Sequence, residues 1–482
     1  MKFLLIKPGL FEDDSKNLML DPSTLPPLGL LYLGAVLEKD GHKVEILDYS
    51  MKNIPKEKLK NAVLSADAVG MSVCTDINFN PYLNISKAVK ELDPDIPLII
   101  GGPHCTFVKK QSLDDIPKAD ISVVGEGEYV IPELVKNLQG EKNLADIKGI
   151  YYRNNGSIHQ GKPLEVICNL DDLPFPARHL VENYDYGDFP FGFQMKKKVT
   201  SMITSRGCPY KCRFCARYSN FIDGFTFRQR SADNILKEFS EIDDKYRSVS
   251  IVDDSFLADK KRANKIFDGL IEMRRDFDLW IYGTRVDFAD KMLYKKMKKA
   301  GVKIIFFGIE SGNQDTLDFY NKKTTVEQIR RAVKLSRKMN FLTIGSFILG
   351  APNETKEHIE NTIKFACSIP IDFAGFGPLR YIRGSQLWDE AVENNKIPKD
   401  SKEIFYFGYS ENGLGNFTQK ELMDYTLKAF QSFYFRPSYM IKEVYRSILR
   451  NDFSLISSGL NLLFSMKKQM GIYKNFNPSE AK

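Results

Sequence analysis

The sequence predicts two successive α/β units, a doubly wound parallel sheet and then an incomplete barrel of six βα units, with a helical region at the end. Three observations predict this. Short apolar runs alternate with segments of helical apolar spacing over residues 1–140, the same alternation resumes near residue 197, and it stops near Asn394, where the chain turns aromatic-rich. At 482 residues the chain exceeds the size at which one hydrophobic core keeps growing, so several domains are expected.

In the first unit, residues 3–6, 44–47, 68–73, 98–100 and 121–124 read as strands, and 27–38, 56–65, 82–92 and 129–138 as helices. Ligands of doubly wound sheets sit beyond the carboxyl ends of the strands. Those ends are Ser72-Val73-Cys74-Thr75, Gly101-Gly102-Pro103-His104 and Gly125-Glu126-Gly127-Glu128, which would line one crevice. Glycine there allows close ligand approach, and is also ordinary turn chemistry. Residues 141–196 read as a linker that contains a hairpin with an Asn155-Gly156 turn and a proline-punctuated run, Asp171 to Arg178.

The barrel, residues 197–393, has candidate strands at 199–204, 250–252, 280–282, 303–307, 343–349 and 373–379. Active sites of such barrels lie at the strands' carboxyl ends. Here these ends are polar: Asp253-Asp254-Ser255, Arg285, Glu310-Ser311-Gly312 and Gly350 to Glu354. After the first strand comes Gly207-Cys208-Pro209-Tyr210-Lys211-Cys212-Arg213-Phe214-Cys215, three thiols at C-x3-C-x2-C spacing. A cubane iron–sulfur cluster usually takes four thiolates, so three suggest a cluster with one iron left open to a small molecule. A zinc site would need a fourth ligand at comparable spacing, and the nearest histidines, His179 and His159, lie far upstream. Three structural thiols flanked by Gly, Pro, Lys and Arg would be odd in a packed interior.

The cysteine run, with Phe214 before its last member, resembles the radical S-adenosylmethionine (SAM) superfamily. The first unit, with Pro26-Pro27-Leu28-Gly29 opening its first helix and Gly-Gly-Pro-His after the fourth strand, resembles the cobalamin-binding, Rossmann-like domain that precedes many such barrels. The resemblance implies three cofactors: a [4Fe–4S] cluster on Cys208, Cys212 and Cys215, SAM on its open iron, and cobalamin. It further implies that Asp253 and Asp254 receive the SAM amino group, Arg285 meets its carboxylate, Glu310 and Ser311 approach the ribose or methionine, Gly350 takes the adenine, and Ser255 is a further cofactor contact. Cobalamin would contact Ser72, Cys74, Thr75, Gly101, Gly102, Pro103, His104, Gly125, Glu126 and Gly127. The D-x-H-x-x-G loop that ligates cobalt through histidine is missing, since Asp40-Gly41-His42 continues without the glycine, and His42 reads as the residue after a helix C-cap.

The implied reaction is reductive cleavage of SAM to a 5′-deoxyadenosyl radical. That radical serves methyl transfer to an unactivated carbon, with methylcobalamin as the donor. The alternatives are a cyclase or ring-rearranging enzyme without methyl transfer, and a cobalamin or cluster sensor without turnover. An external electron donor such as flavodoxin or ferredoxin is implied as well.

In the last region, 394–482, Phe430, Phe433, Tyr434, Phe435 and Tyr439 crowd one stretch, and 453–466 is apolar before Lys467-Lys468. The readings are a helical core, a lid suited to a large apolar substrate, or a membrane-surface helix with peripheral membrane contact. Net charge is +7 with basic residues spread along the chain, which does not indicate nucleic acid. Seven cysteines are too few for a secreted disulfide framework, and no run is long enough to span a bilayer, so the expected location is cytoplasmic.

Overall fold

The computed structural model describes residues 1–9, 25–51, 54–74, 79–187, 195, 198–220, 222–242 and 244–450. In its first sheet the predicted parallel strands are β1 (Lys2–Lys7), β2 (Lys43–Asp48), β3 (Ala68–Ser72), β4 (Leu98–Gly101) and β5 (Ile121–Val123). They are connected by α1 (Leu28–Lys39), α2 (Lys56–Leu64), α3 (Asn80–Leu92), α4 (Pro103–Val108) and α5 (Gln111–Asp115), with α6 (Ile131–Leu138) following β5. The strands are apolar on both faces because both are covered. Leu4 and Ile6 pack with Val63 and Ile85 on one side, Phe3 with Leu37 and Leu134 on the other.

Two expectations are corrected here. The stretch after Gly102, expected only as a strand end lining the crevice, is helical: Pro103 opens α4, where its fixed φ and missing N–H suit the first helical turn. The hairpin assigned to the linker, β6 (Ile150–Asn154) and β7 (Ser157–Gln160), extends this sheet instead. Its turn has positive φ at Asn155 (48°) and Gly156 (78°), and β6 pairs antiparallel with β5, giving the order β2-β1-β3-β4-β5-β6-β7. The order reverses between β1 and β3, the switch point at which such sheets bind ligands.

The second sheet contains the six predicted strands, all parallel. The chain runs through β8 (Val199–Met202), the short β9 (Ser205–Arg206) and β10 (Arg228–Gln229), then β11 (Ser248–Ile251), β12 (Asp278–Thr284), β13 (Val302–Glu310), β14 (Leu342–Leu349) and β15 (Phe373–Pro378). The sheet order is β15-β14-β13-β12-β11-β8. Its outer shell is α7 (Ala232–Glu241), α8 (Lys260–Met273), α9 (Lys291–Lys299), α10 (Gln314–Phe319), α11 (Val326–Lys338) and α12 (Lys356–Ser368). Six strands do not close a ring, so the inner wall needs another cover. Leu30 and Leu31 of α1 and the linker residues Val181, Tyr186 and Met195 supply it, packing with Val199, Trp280, Ile304 and Leu342 at the strand starts. The Tyr186 hydroxyl donates to the buried Asp48 at the end of β2 (3.0 Å), so the linker is tied to the first sheet as well.

The final region is not wholly helical. β16 (Arg380–Ile382) pairs antiparallel with β17 (Phe405–Phe407) around α13 (Gln386–Glu393), and only then come α14 (Gln419–Tyr434) and α15 (Pro437–Arg450). The aromatic lid is also corrected. α14 runs antiparallel to β15, with Leu422 against Gly350 at the top of the barrel and the Tyr434 hydroxyl bonded to the backbone of Ala374 at its foot (2.9 and 3.1 Å). Phe430 and Phe433 pack on Phe376, and the Tyr439 hydroxyl reaches the Asp372 carbonyl (2.6 Å). These rings complete the barrel's edge and foot, far from its mouth, and the inference of a large apolar substrate loses their support. The apolar stretch 453–466 lies outside the described residues. No helix among the described residues is long and apolar enough to cross a membrane.

Candidate active site

From β9 the chain enters the cysteine loop, whose backbone is held by two later elements. Arg213 donates its N–H to the Tyr320 carbonyl and accepts at its own carbonyl from the N–H of Leu387 (both 3.0 Å). Its guanidinium reaches the Phe319 carbonyl (3.0 Å) and Glu390 of α13. Asn321 Nδ2 donates to the Lys211 carbonyl (2.8 Å). Phe214 packs edge-on against Tyr320 (centroids 5.0 Å), which seats the middle of the loop on the α10–α11 connection.

Burial pushes the Cys215 thiol up to about 12, with Cys212 and Asp254 adding to the effect, and burial also raises Cys208. Cys215 is nonetheless open to solvent, as expected on the wall of a concave mouth. Such thiols stay protonated unless a metal replaces the proton. Among the described residues no three Cys, His, Asp or Glu side chains converge as ligands of a single ion. Three thiolates on one loop are the protein's share of a cubane's ligands, each to a different iron.

The predicted SAM contacts divide. Asp253 is fully buried and accepts from Thr204 N (2.6 Å), Thr204 Oγ1 (2.5 Å) and Ser205 Oγ (2.6 Å), so it fastens β11 to β8 and has no room for an ammonium. Asp254 has no protein partner among the described residues. Its carboxylate is exposed yet surrounded on most sides, and this partial desolvation, with the Asp253 charge, raises its pKa. Ser255 is buried with an unpaired hydroxyl. Arg285 is committed to Asp287 (3.1 and 3.0 Å) and the Lys322 carbonyl (2.7 Å), and lies 3.7 Å from the Tyr210 ring centroid, so it clamps the cysteine loop where a SAM carboxylate was expected. Ser311 is turned inward onto Thr362 Oγ1 (3.1 Å). Gly350 has φ 90°, and a Cβ there would lie 2.7 Å from Leu422. Glu310 stays at the mouth, its Oε1 2.6 Å from Lys322 Nζ and its Oε2 3.4 Å from Ser346 Oγ.

Lys322 was not anticipated. It is buried, and its ammonium lies 5.8 Å from the centre of the Phe214 ring. Burial alone would lower its pKa, but Glu310 and the Cys212 thiol raise it above the ordinary lysine value. In the run Asn321-Lys322-Lys323-Thr324 nothing distinguishes it from a surface lysine.

The predicted corrin contacts divide as well. Ser72 is half-buried and Cys74 exposed at the end of β3, and Thr75 lies outside the described residues. Gly101 is half-buried at the end of β4, with Pro103 and His104 in α4. Gly102 (φ 113°) is demanded by the Val73 backbone, which a Cβ would meet at 2.8 Å. His104 is buried in α4, its Nε2 2.9 Å from Asp115 and its ring tilted against Phe79 (centroids 4.6 Å), with Nδ1 unpartnered. Gly125 donates its N–H to Thr106 Oγ1 (3.0 Å), and Gly127 abuts Leu33. Glu126 does not face an open crevice. It accepts from Arg206 (2.7 Å) and Arg228 (2.8 and 3.1 Å), and Glu128 accepts from Arg206 (2.5 and 3.4 Å). Burial alone would raise Glu126, but the two guanidiniums hold its carboxyl below the usual range. His42 lies at the amino ends of β1 and β2, against Phe3, at the opposite edge of the sheet from these loops.

The strand ends of the two units meet at these residues. Arg206 immediately precedes Gly207 of the cysteine loop, and Tyr218, just after that loop, stacks on Phe107 of α4 (5.4 Å). The loops thus leave a junction bordered by Cys74, Tyr218 and the triplet. The small cavity lined by Val181, Tyr184, Tyr186 and Val199 lies at the foot of the barrel and is not this junction.

Glu354 gives a prediction of its own. Its Oε2 accepts from Gly350 N (2.7 Å) and Ala351 N (2.9 Å), its Oε1 is buried unpaired, and burial raises its pKa from 4.5 to about 7. For a carboxyl raised on folding, stability is highest below the unfolded pKa and is lost as pH rises toward the folded one. The loss amounts to roughly 3 kcal/mol above pH 7. Glu354→Gln keeps an acceptor for both N–H groups and removes the charge. Its melting temperature should match the parent near pH 4.5 and exceed it at pH 8. Equal pH profiles for the two proteins would contradict the assignment.

Residues 202–366 match the radical SAM superfamily model and residues 21–135 the B12-binding-domain model. The chain is 32% identical over 451 residues to "Uncharacterized methyltransferase PH0819" of Pyrococcus horikoshii, covering 92% of this chain and 95% of that one. It is 28% identical to the anaerobic magnesium-protoporphyrin IX monomethyl ester cyclase of Rubrivivax gelatinosus, covering 86% and 75%. Its fold matches the cobalamin-dependent SAM radical enzyme OxsB with aqua-cobalamin bound, with TM-score 0.70 and 16% identity over 99% of this chain and 81% of that one. With both domain types in one chain and a relative similar along nearly its whole length, the protein belongs to the cobalamin-dependent radical SAM enzymes, whose cofactors are a [4Fe–4S] cluster, SAM and cobalamin.

Proposed function

We propose that this enzyme methylates an unactivated carbon of a small-molecule substrate, at the junction between the cysteine loop and the strand ends of the first sheet. The observation that carries the reading is the Arg206–Glu126–Glu128 contact, which holds the start of the cysteine loop against the loop after β5. When bound, the three cofactors supply reductive cleavage of SAM, a hydrogen-abstracting radical and a cobalt-borne methyl group.

Cys208, Cys212 and Cys215 supply the three thiolates. Asp254, the one expected acidic contact without a protein partner, receives the SAM ammonium, and the Lys322–Glu310 pair leaves carboxylate lone pairs for ribose hydroxyls. Arg285 and Phe214 position the loop. The corrin-binding unit includes the β6–β7 hairpin, and the catalytic unit begins at β8. A flavodoxin- or ferredoxin-type protein delivers the electron.

The likeness to a cyclase favours a second reading, ring closure without methyl transfer. Anaerobically reconstituted protein is incubated with methyl-deuterated SAM and a small-molecule extract. The expected result is 5′-deoxyadenosine together with a product carrying three deuteriums. 5′-Deoxyadenosine with an unlabelled, cyclised product would establish the cyclase, and its absence under full reduction would refute both. Asp254→Asn should raise KM for SAM about tenfold or more, as loss of one charge-assisted contact requires, while cluster iron is retained.

A further inference from the structure

The outer side of the cysteine loop carries a cluster of lysines without acidic partners. Lys211 is exposed within the loop, and its bond from Asn321 brings Lys323 alongside. Tyr210 packs edge-on against Phe288 (6.1 Å), and Lys260 Nζ lies 5.8 Å from the same ring. Lys260 and Lys261 open α8, and Lys291 opens α9 just beyond Phe288. All five lysines are exposed, and none forms an ion pair among the described residues. Lysines further along the same helices are paired, Lys265 with Asp233 and Lys296 with Asp268. The carboxylates near the patch are engaged internally: Asp287 with Arg285, Glu390 with Arg213, and Asp259 and Asp290 as helix N-caps.

We propose that this patch is the docking face for an acidic one-electron protein donor of the flavodoxin class. The inference rests on the radical reading above and adds the surface through which it is fed. A reduced flavin gives up one electron to become a semiquinone, and the cluster is reduced by that electron. The cysteine loop is the segment between the donor and the three thiols, and Pro209 and Lys211 expose it. An excess of positive charge around that loop steers an acidic partner, raising the association rate by about 10 to 10³ at low salt. Lysines, hydrated point charges on flexible stems, suit a transient contact that must release after each electron.

The test uses the full reconstituted chain and follows SAM cleavage to 5′-deoxyadenosine with two reductants, flavodoxin hydroquinone and photoreduced deazaflavin, a small neutral donor. The variants are Lys260→Glu/Lys261→Glu/Lys291→Glu and, separately, Lys323→Glu; glutamate in the first turn of α8 and α9 favours the helices. The triple variant should lose about tenfold or more of the flavodoxin-driven rate at low ionic strength, with the gap closing as salt is added. Flavodoxin binding measured by fluorescence anisotropy should weaken in parallel, and the deazaflavin-driven rate should stay within twofold. A flavodoxin-driven rate and affinity insensitive to the charge reversals, equal losses with both reductants, or no flavodoxin binding by the parent would each overturn the docking face. Failure of the parent with deazaflavin would instead overturn the radical reading.

Discussion

Cys208→Ala, Cys212→Ala and Cys215→Ala should each abolish SAM cleavage, and iron should fall from about four per chain toward zero. The cubane has one corner for SAM and three for protein, so losing any thiolate opens a second iron to solvent. Cys74→Ala, Cys105→Ala, Cys168→Ala and Cys367→Ala should leave iron content and cleavage near the parent level. Cys105 is enclosed in the first sheet's core and Cys367 sits near the C-terminal end of α12 against the Ser432 carbonyl, both away from the loop. Cys74 and Cys168 are exposed, and Cys74 borders the junction, so its variant tests whether a fourth thiol takes part. Iron and EPR measurements on the anaerobically reconstituted variants decide the matter. A full cluster in a triplet variant would refute the assignment.

Arg206→Ala should cost about 3–5 kcal/mol, because it leaves the buried Glu128 and the half-buried Glu126 with part of their countercharge gone. Arg206→Lys should recover only part of this, since an ammonium cannot bridge two carboxylates as a planar guanidinium does. Thermal unfolding measures the loss, and a double-mutant cycle with Glu126→Gln isolates the pair. The same contact sets the spacing of the two units. In Arg206→Ala loaded with cluster and cob(II)alamin, the magnetic interaction between the reduced cluster and cobalt should change, and more SAM should be cleaved without product. An unchanged interaction in a folded variant would restrict Arg206 to a purely stabilising role.

Much of the architecture was readable from residue patterns. All eleven predicted parallel strands appear, because a parallel strand buried on both faces is an uninterrupted apolar run. The β6–β7 hairpin was legible as a hairpin through Asn155-Gly156. Its membership of the first sheet was not, because local turn chemistry says nothing about the edge on which a hairpin docks. The aromatic stretch 430–439 proved to be helical core, and its sequence could not separate that reading from a lid for a related reason. Apolar rings at helical spacing predict burial, and whether they cover a mouth or a foot depends on the direction in which α14 crosses β15.

Residue types at short, fixed spacing were enough to identify the cysteine loop and the two α/β units, and to show that no D-x-H-x-x-G motif occurs. Only the tertiary structure decided which polar strand ends are free. Asp253 and Asp254 are adjacent and chemically identical, yet one is consumed by Thr204 and Ser205 while the other faces the mouth. Glu126, expected beside a corrin, is neutralised by arginines 80 and 102 residues away, and Lys322 enters the site from a connection that reads as surface. The physical reason is that a charged side chain's role depends on its partner and its desolvation, and both are set by segments that only folding brings together.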